Sequence, residues 1–364
     1  MRVGIVLHPF GDSRKGLEQY IFESTRSLIE SSKTPSSFTV FVKGNPDTTG
    51  LPEGVRIIHI PHVWYSQLYL IRHSTSCDVF VFFTESAPLF LWRKSIIVFF
   101  DAAYYYFGDT SFFARIQRSF LALWRGWMMR LSRHVVTISE ASKKDLVEIF
   151  SVPKDHVSVI YPGFKSLYGD IIEKTEQNRE PYFMYIGPIK ERKNVLGIVN
   201  AFLLFKTDTG LPHTLFLVGR KSKGAYEEKV DARIEESEYK DAIVFKTNVS
   251  DADLGEVYRN ATALVFPSLL EGFGLPVLEA LSCNCMVITS STTSTKEALG
   301  DVGMLVDPKN EREIAAAMAL VARGEYDRAL FIENAKKQST FFTWEKSGEA
   351  WNRVLRKSAN LENT

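Results

Sequence analysis

Glu271 and Glu279 have seven residues between them in the stretch Phe-Pro-Ser-Leu-Leu-Glu-Gly-Phe-Gly-Leu-Pro-Val-Leu-Glu, which runs from Phe266 to Glu279. Gly272 and Gly274 permit a tight turn and close approach of a ligand to the backbone. Pro276 suits the first position of a helix. The pattern therefore predicts a loop that delivers a helix N-terminus, its amides around Gly274, Leu275, Pro276 and Val277 aimed at an anion. Glu279, one turn into that helix, suits two neighbouring hydroxyls such as those of a ribose, and Glu271 suits a sugar. A second constellation is Tyr-Ile-Gly-Pro-Ile-Lys-Glu-Arg-Lys-Asn, from Tyr185 to Asn194. A strand ends at Gly187, a helix opens near Asn194, and Arg192 and Lys193 stand at the junction. Two cations beside a helix start suit a diphosphate.

These two stretches resemble the paired-glutamate and Arg-Lys-Asn motifs of retaining glycosyltransferases of the two-Rossmann-domain (GT-B) type, in particular the group called family 4. Smaller matches follow in order: Leu217-Val-Gly219, the base-reading segment that begins at Val249, the Ser-Glu step at Ser139-Glu140, and Gly16, which resembles the glycine closing the first loop over the leaving group. The resemblance implies that Lys193 holds the donor's diphosphate with support from Arg192. It further implies that Glu271 holds the sugar and Glu279 the ribose, and that retention proceeds by front-face displacement. In that step a donor phosphate oxygen takes the acceptor proton, so no protein nucleophile is needed. The implied reaction is transfer of a hexose from a nucleotide sugar, best guessed as GDP-mannose, to a glycan or lipid-linked acceptor. A UDP-hexose or 6-deoxy donor, a sugar-nucleotide epimerase and a non-catalytic binding protein are the alternatives. One departure concerns the strand before Asp101: Phe100 stands where many relatives have a histidine near the sugar's 6-hydroxyl. Asp101 is expected to position acceptor or donor sugar.

No metal and no cofactor are expected. Asp251-Ala-Asp253 reads as a helix start capped by Ser250 rather than a metal motif, and Ser294 with Glu297 reads as a capping box. The seven histidines show no ligand spacing, His8 at a strand end included. Cys77, Cys283 and Cys285 do not make a disulfide framework.

Strand and helix signals alternate along the whole chain, which predicts an α/β protein with parallel sheets. With 364 residues, two doubly wound domains facing across a cleft are expected. Their expected bounds are 1–165 and 181–342, with a linker at 166–180 and a C-terminal helix at 343–364 crossing back to the first domain. Lys and Arg number 44 against 43 Asp and Glu, so a nucleic-acid footprint is absent. The N-terminal apolar run is too short for a signal peptide, and a cytoplasmic enzyme is expected. Residues 112–133, from Phe112 to Arg133, add a further expectation. On a helical wheel Phe113, Ile116, Phe120, Trp124, Trp127 and Leu131 cluster opposite Arg115, Arg118, Arg125, Arg130 and Arg133, with no acid present. That pattern fits attachment to an anionic membrane surface at the inner face. The alternative is a helix whose apolar side packs into the first domain.

Overall fold

The computed structural model describes all residues except 9–15, 33–36, 45, 61–68, 108–110, 165, 167–180, 220–223, 248 and 361–364, and only the backbone of Asp251, Ala252 and Asn360. Of the expected linker, only Ser166 is described. The chain divides into two compact units, one formed by Met1–Gly163 with Phe342–Thr364 and the other by Phe164–Phe341.

In the first unit the strands are β1 (Val3–Leu7), β2 (Phe38–Lys43), β3 (Arg56–Ile60), β4 (Val79–Phe82), β5 (Ser95–Phe99), β6 (His134–Thr137) and β7 (Val157–Val159). The helices before the linker are α1 (Leu17–Glu30), α2 (Ala103–Tyr106), α3 (Phe112–Leu131) and α4 (Glu140–Phe150). The strands form one parallel sheet in the order β3-β2-β1-β4-β5-β6-β7. Every residue of β1, β4, β5 and β6 is buried. Apart from His134 at the start of β6, these strands are apolar or small-residue runs, because a parallel sheet is covered on both faces.

In the second unit the strands are β8 (Tyr182–Ile186), β9 (Thr214–Val218), β10 (Ile243–Lys246), β11 (Ala263–Phe266), β12 (Met286–Ser290) and β13 (Met304–Val306). They form a parallel sheet in the order β10-β9-β8-β11-β12-β13. The helices between and after them are α5 (Val195–Thr209), α6 (Ala225–Glu235), α7 (Asp251–Asn260), α8 (Leu275–Ser282), α9 (Thr295–Leu299), α10 (Glu311–Ala322) and α11 (Arg328–Phe341).

The last helix, α12 (Trp344–Asn360), belongs to the first unit and packs along α1. Trp351 is fully buried there, and its indole N–H donates to Ser24 Oγ at 2.8 Å. A Cβ at Gly348 would sit 2.2 Å from the Ser27 carbonyl, so the two backbones meet where only glycine fits.

The helix α3 overturns one of the two readings open for it. Phe113, Ile116, Phe120, Leu123, Trp124 and Trp127 are all exposed, Phe113 at 83%. The apolar stripe therefore does not pack into the first unit. Gly126, Met128 and Met129 are the buried residues of α3, and Met129 joins the core with Ile97, Leu146 and Phe150. The arginines also differ from a solvated face. Arg125 pairs with Glu85 and donates to Tyr105 Oη at 2.9 Å. Arg130 donates to the Phe150 carbonyl at 2.9 Å, and Arg133 to the Ser358 carbonyl at 2.7 Å.

Each unit buries a histidine with acid-sensitive consequences. His134 Nε2 lies 2.8 Å from Ser158 Oγ, and the His213 ring stacks on Phe183 with centroids 5.2 Å apart. Burial pushes both imidazoles down to about 4. An unfolded histidine titrates near 6.5, so between pH 6.5 and 4 the unfolded chain takes up protons that the folded chain refuses. The stability due to each is complete above pH 6.5 and is lost as pH falls towards 4, up to about 3 kcal/mol per group. We expect Tm to drop across this window, and His134→Gln and His213→Gln each to flatten the drop. An acid limb unchanged by both substitutions would refute the assignment.

Candidate functional site

The site residues of the second unit come from loops at the carboxyl ends of adjacent strands β8 and β11. After β8, Gly187 N–H donates to the Val218 carbonyl at 2.9 Å, and the chain turns through a short 3-10 segment, Glu191–Lys193. Asn194 then adopts a left-handed conformation with φ 59°, one that asparagine tolerates better than most residues. Its side-chain Nδ2 donates to the Pro267 carbonyl at 3.1 Å and the Pro308 carbonyl at 2.6 Å. The Arg192 carbonyl accepts from the amides of Leu269 and Leu270 at 2.9 and 3.2 Å. Three loops are thereby tied together by the Asn194 side chain and by backbone groups.

These ties bring Lys193, Arg192 and Glu271 into one cluster. Lys193 Nζ pairs with Glu271 Oε1 and lies 5.0 Å from the centre of the Phe266 ring. Arg192 reaches Glu271 Oε2 at 3.4 Å, and Ser268 Oγ donates to Oε1 at 2.9 Å. The Glu271 side chain is 7% exposed, Lys193 11% and Arg192 24%. One buried carboxylate thus faces two cations, which leaves the cluster net positive. Ion pairs so withdrawn from water need several partners to offset desolvation. The same geometry lets an entering anion compete with Glu271 for the cations.

Helix α8 follows, opening at Gly274, whose φ is 105° and whose Cβ would press to 2.8 Å from Thr295 Cγ2. Pro276 is the second helical residue, one place beyond the expected position. It carries no N–H, and Val277 N–H donates to the Gly274 carbonyl at 3.0 Å. Of the amides expected to face an anion, those of Gly274 and Leu275 remain. Glu279 lies in α8 and accepts from Tyr258 Oη at 2.9 Å. Tyr258 is fully buried, and burial, then the Glu279 charge, hold its hydroxyl well above the usual phenol range, so it stays a donor. Spacing alone did not point to Tyr258, which is an apolar-face residue of α7 in sequence. The capping reading of Ser250 agrees with its acceptance from Asp253 N–H at 3.2 Å. The capping box at Ser294 is corrected: its hydroxyl donates instead to the Glu271 carbonyl at 2.7 Å and steadies the site loop. Val249 is half-buried and lies two residues before α7.

Two site candidates lie in the first unit. Gly16 opens α1 with φ 57°. Asp101 follows β5, and its Oδ1 accepts from Ala103 N–H at 2.9 Å, which starts α2. Phe100 stacks edge-on with Tyr20 at 5.3 Å.

Two all-parallel α/β units, of seven and six strands, have the GT-B fold. Residues 170–338 match the family model of group 1 glycosyl transferases. The chain is 29% identical to O-antigen chain mannosyltransferase B of Escherichia coli over 219 residues, 58% of this chain and 57% of that protein. It is 28% identical to O-antigen chain mannosyltransferase RfbU of Salmonella typhimurium over 264 residues, 71% of this chain and 70% of the relative. The matched region thus spans between half and three quarters of these relatives. In fold it is similar to Anabaena HepE solved with UDP and glucose, at a TM-score of 0.75 and 13% identity, covering 98% and 100% of the two chains. It is likewise similar to WaaG, a glycosyltransferase of lipopolysaccharide biosynthesis, at a TM-score of 0.68 and 15% identity, covering 97% and 99%.

Proposed function

We propose that the chain transfers a hexose from a nucleoside diphosphate sugar, GDP-mannose in the first instance, to a glycan or lipid-linked acceptor, with retention and without a metal. The observation that carries this reading is the net-positive cluster of Lys193 and Arg192 around Glu271. Held by neighbouring loops, it offers preorganised charge to a leaving diphosphate. The amides of Gly274 and Leu275 at the start of α8 add to that field. Glu279, braced by Tyr258, holds the ribose, and Glu271 bridges the cations to the sugar hydroxyls. Gly187 and Val249 approach the donor through backbone, Gly16 does so from the first unit, and Asp101 positions the sugar or acceptor. The mannosyltransferase names of the curated relatives support mannose.

A thermal-shift screen over GDP-mannose, a GDP-6-deoxyhexose and UDP-glucose tests this, since a ligand at about 100 times its Kd stabilises by about 2.7 kcal/mol. GDP-mannose is expected to shift Tm most, and the 6-deoxy donor is tolerated because Phe100 offers the 6-position no hydrogen bond. Transfer should survive EDTA and yield the retained anomer. Glu279→Ala should raise the donor KM with kcat little changed, because ribose contacts are alike in ground and transition states. A screen with no shift for any nucleotide sugar would overturn the reading.

We further propose that the enzyme sits on an anionic membrane surface through α3. The exposed aromatic stripe and the acid-free stretch 111–133 support this. Among the described residues no helix is long and apolar enough to cross a membrane.

A further inference from the structure

The first unit holds a cavity of about 250 Å³ at the carboxyl ends of β1, β2, β3 and β4. The sheet order β3-β2-β1-β4 explains its place. From β1 the chain winds outward through β2 and β3, then returns to pair β4 with the other side of β1. A crevice opens where such a winding reverses, outside the carboxyl ends of the strands. Here its floor is apolar, with Val6 and Phe82 among the lining residues, while its polar groups are His8, Lys43, Thr84 and Ser86. An apolar wall with a few convergent polar groups is the usual make-up of a small-ligand site.

The charge of this pocket is one-sided. Among its described lining residues Lys43 is cationic, His8 is an imidazole, and none is acidic. Partial burial and the Lys43 charge hold the His8 imidazole below its usual range, so the two groups lie close enough to repel. A lysine ammonium and a neutral imidazole N–H meeting at an apolar wall can both donate to an anion. The same loop also links to α3. Glu85, between the two lining residues Thr84 and Ser86, pairs with Arg125.

Resting on the glycosyl-transfer reading, we propose that this pocket is an acceptor subsite that receives an oxyanion, phosphoryl or carboxylate, carried by the acceptor, with Lys43 and His8 as its binding residues. The pocket lies in the first unit, whereas Lys193 and Glu271 belong to the second, which carries the group 1 domain. Through Glu85 and Arg125 it is tied to the helix assigned to the membrane, and so stands where a membrane-borne phosphoryl-linked acceptor would present its charged end.

The test uses the full chain with the nucleoside diphosphate of the preferred donor at saturation, so that phosphorylated probes cannot occupy the donor site. Calorimetric titration compares a hexose 1-phosphate, the methyl glycoside of a hexuronic acid and a neutral methyl hexoside. At least one anionic probe should bind about tenfold or more tighter than the neutral one, the gain expected of a charge-assisted contact. The phosphate and the uronate arms distinguish the two sources of charge. Lys43→Gln should remove the preference and Lys43→Arg should keep it. Equal affinity for all three probes, binding of none of them, or a preference that survives both Lys43→Gln and His8→Gln would overturn the proposal. Unchanged nucleotide affinity in the variants reports intact folding. If the nucleotide binds normally while the anion preference is absent, the subsite fails alone; if no nucleotide binds, the glycosyl-transfer reading fails first.

Discussion

Substitution of Lys193 by alanine is expected to lower kcat by about 10²–10³-fold, the usual cost of removing one preorganised charge-stabilising contact. The ammonium lies over the Phe266 ring and pairs with Glu271, its side chain 11% exposed. In so dry a place its field is weakly screened, and it gains most as the diphosphate accumulates charge in the transition state. The truncation leaves Glu271 held by Ser268 Oγ at 2.9 Å and by Arg192 at 3.4 Å, so the carboxylate is not stranded and the loop should hold. Steady-state kinetics with the preferred donor, beside a thermal melt that reports folding, checks this. A loss confined to KM would mean that the lysine binds ground and transition states alike. Turnover within about threefold of the parent enzyme, with folding intact, would remove Lys193 from the diphosphate.

Strands β8, β11 and β13 are apolar runs bounded by proline, glycine, threonine or aspartate, so the sequence itself marks their ends. A strand buried on both faces is an unbroken apolar run, and such runs are easy to delimit. The end of β12 is harder to read, because the strand continues through Thr289 and Ser290, polar residues that are nevertheless fully buried. Thr289 meets that burial by donating to the Phe266 carbonyl at 2.8 Å, a partner no local pattern reveals. Helices α2 and α9, of four and five residues, are too short to show a period. The site divides in the same way. Gly274, Pro276 and Asn194 were legible because backbone conformation and proline chemistry are local properties. The ion pair of Lys193 with Glu271 joins residues 78 apart in sequence, and only the winding of β8 beside β11 brings them together. Ser294 shows how a local motif misleads: serine with glutamate three places on fits a capping box, yet a carbonyl of the site loop takes its hydroxyl. For α3 the periodicity identified the stripe but not its direction. A helical wheel gives the angle between apolar and basic faces; which face meets the core depends on what the core supplies. Here the first unit supplies Glu85 and the Phe150 and Ser358 carbonyls to the arginines, so the aromatic side is left outside.

That outward stripe leads to the second large effect, on membrane partition. Phe113 and Phe120 are 83% and 65% exposed, so Phe113→Ser with Phe120→Ser should leave folding and nucleotide affinity unchanged. Burying a phenylalanine side chain is worth about 1.5–3 kcal/mol, so two such losses should weaken binding to anionic vesicles about a hundredfold or more. Arg115, exposed in the first turns of α3, gives a separate electrostatic handle. Arg115→Glu should weaken binding by about 1–2 kcal/mol, an effect that fades as salt screens the surface. Arg125 is unsuited to such a test because it pairs with Glu85 inside the unit. Sedimentation with phosphatidylglycerol-containing vesicles at low salt, compared with neutral phosphatidylcholine vesicles, reads all three outcomes. The parent enzyme should sediment with the anionic vesicles and much less with the neutral ones. No sedimentation at low salt, or sedimentation unaffected by the phenylalanine substitutions, would end the membrane assignment. A dimer in analytical ultracentrifugation that dissolves on the same substitutions would instead make the stripe an interface between two copies of the chain, and would count equally against it.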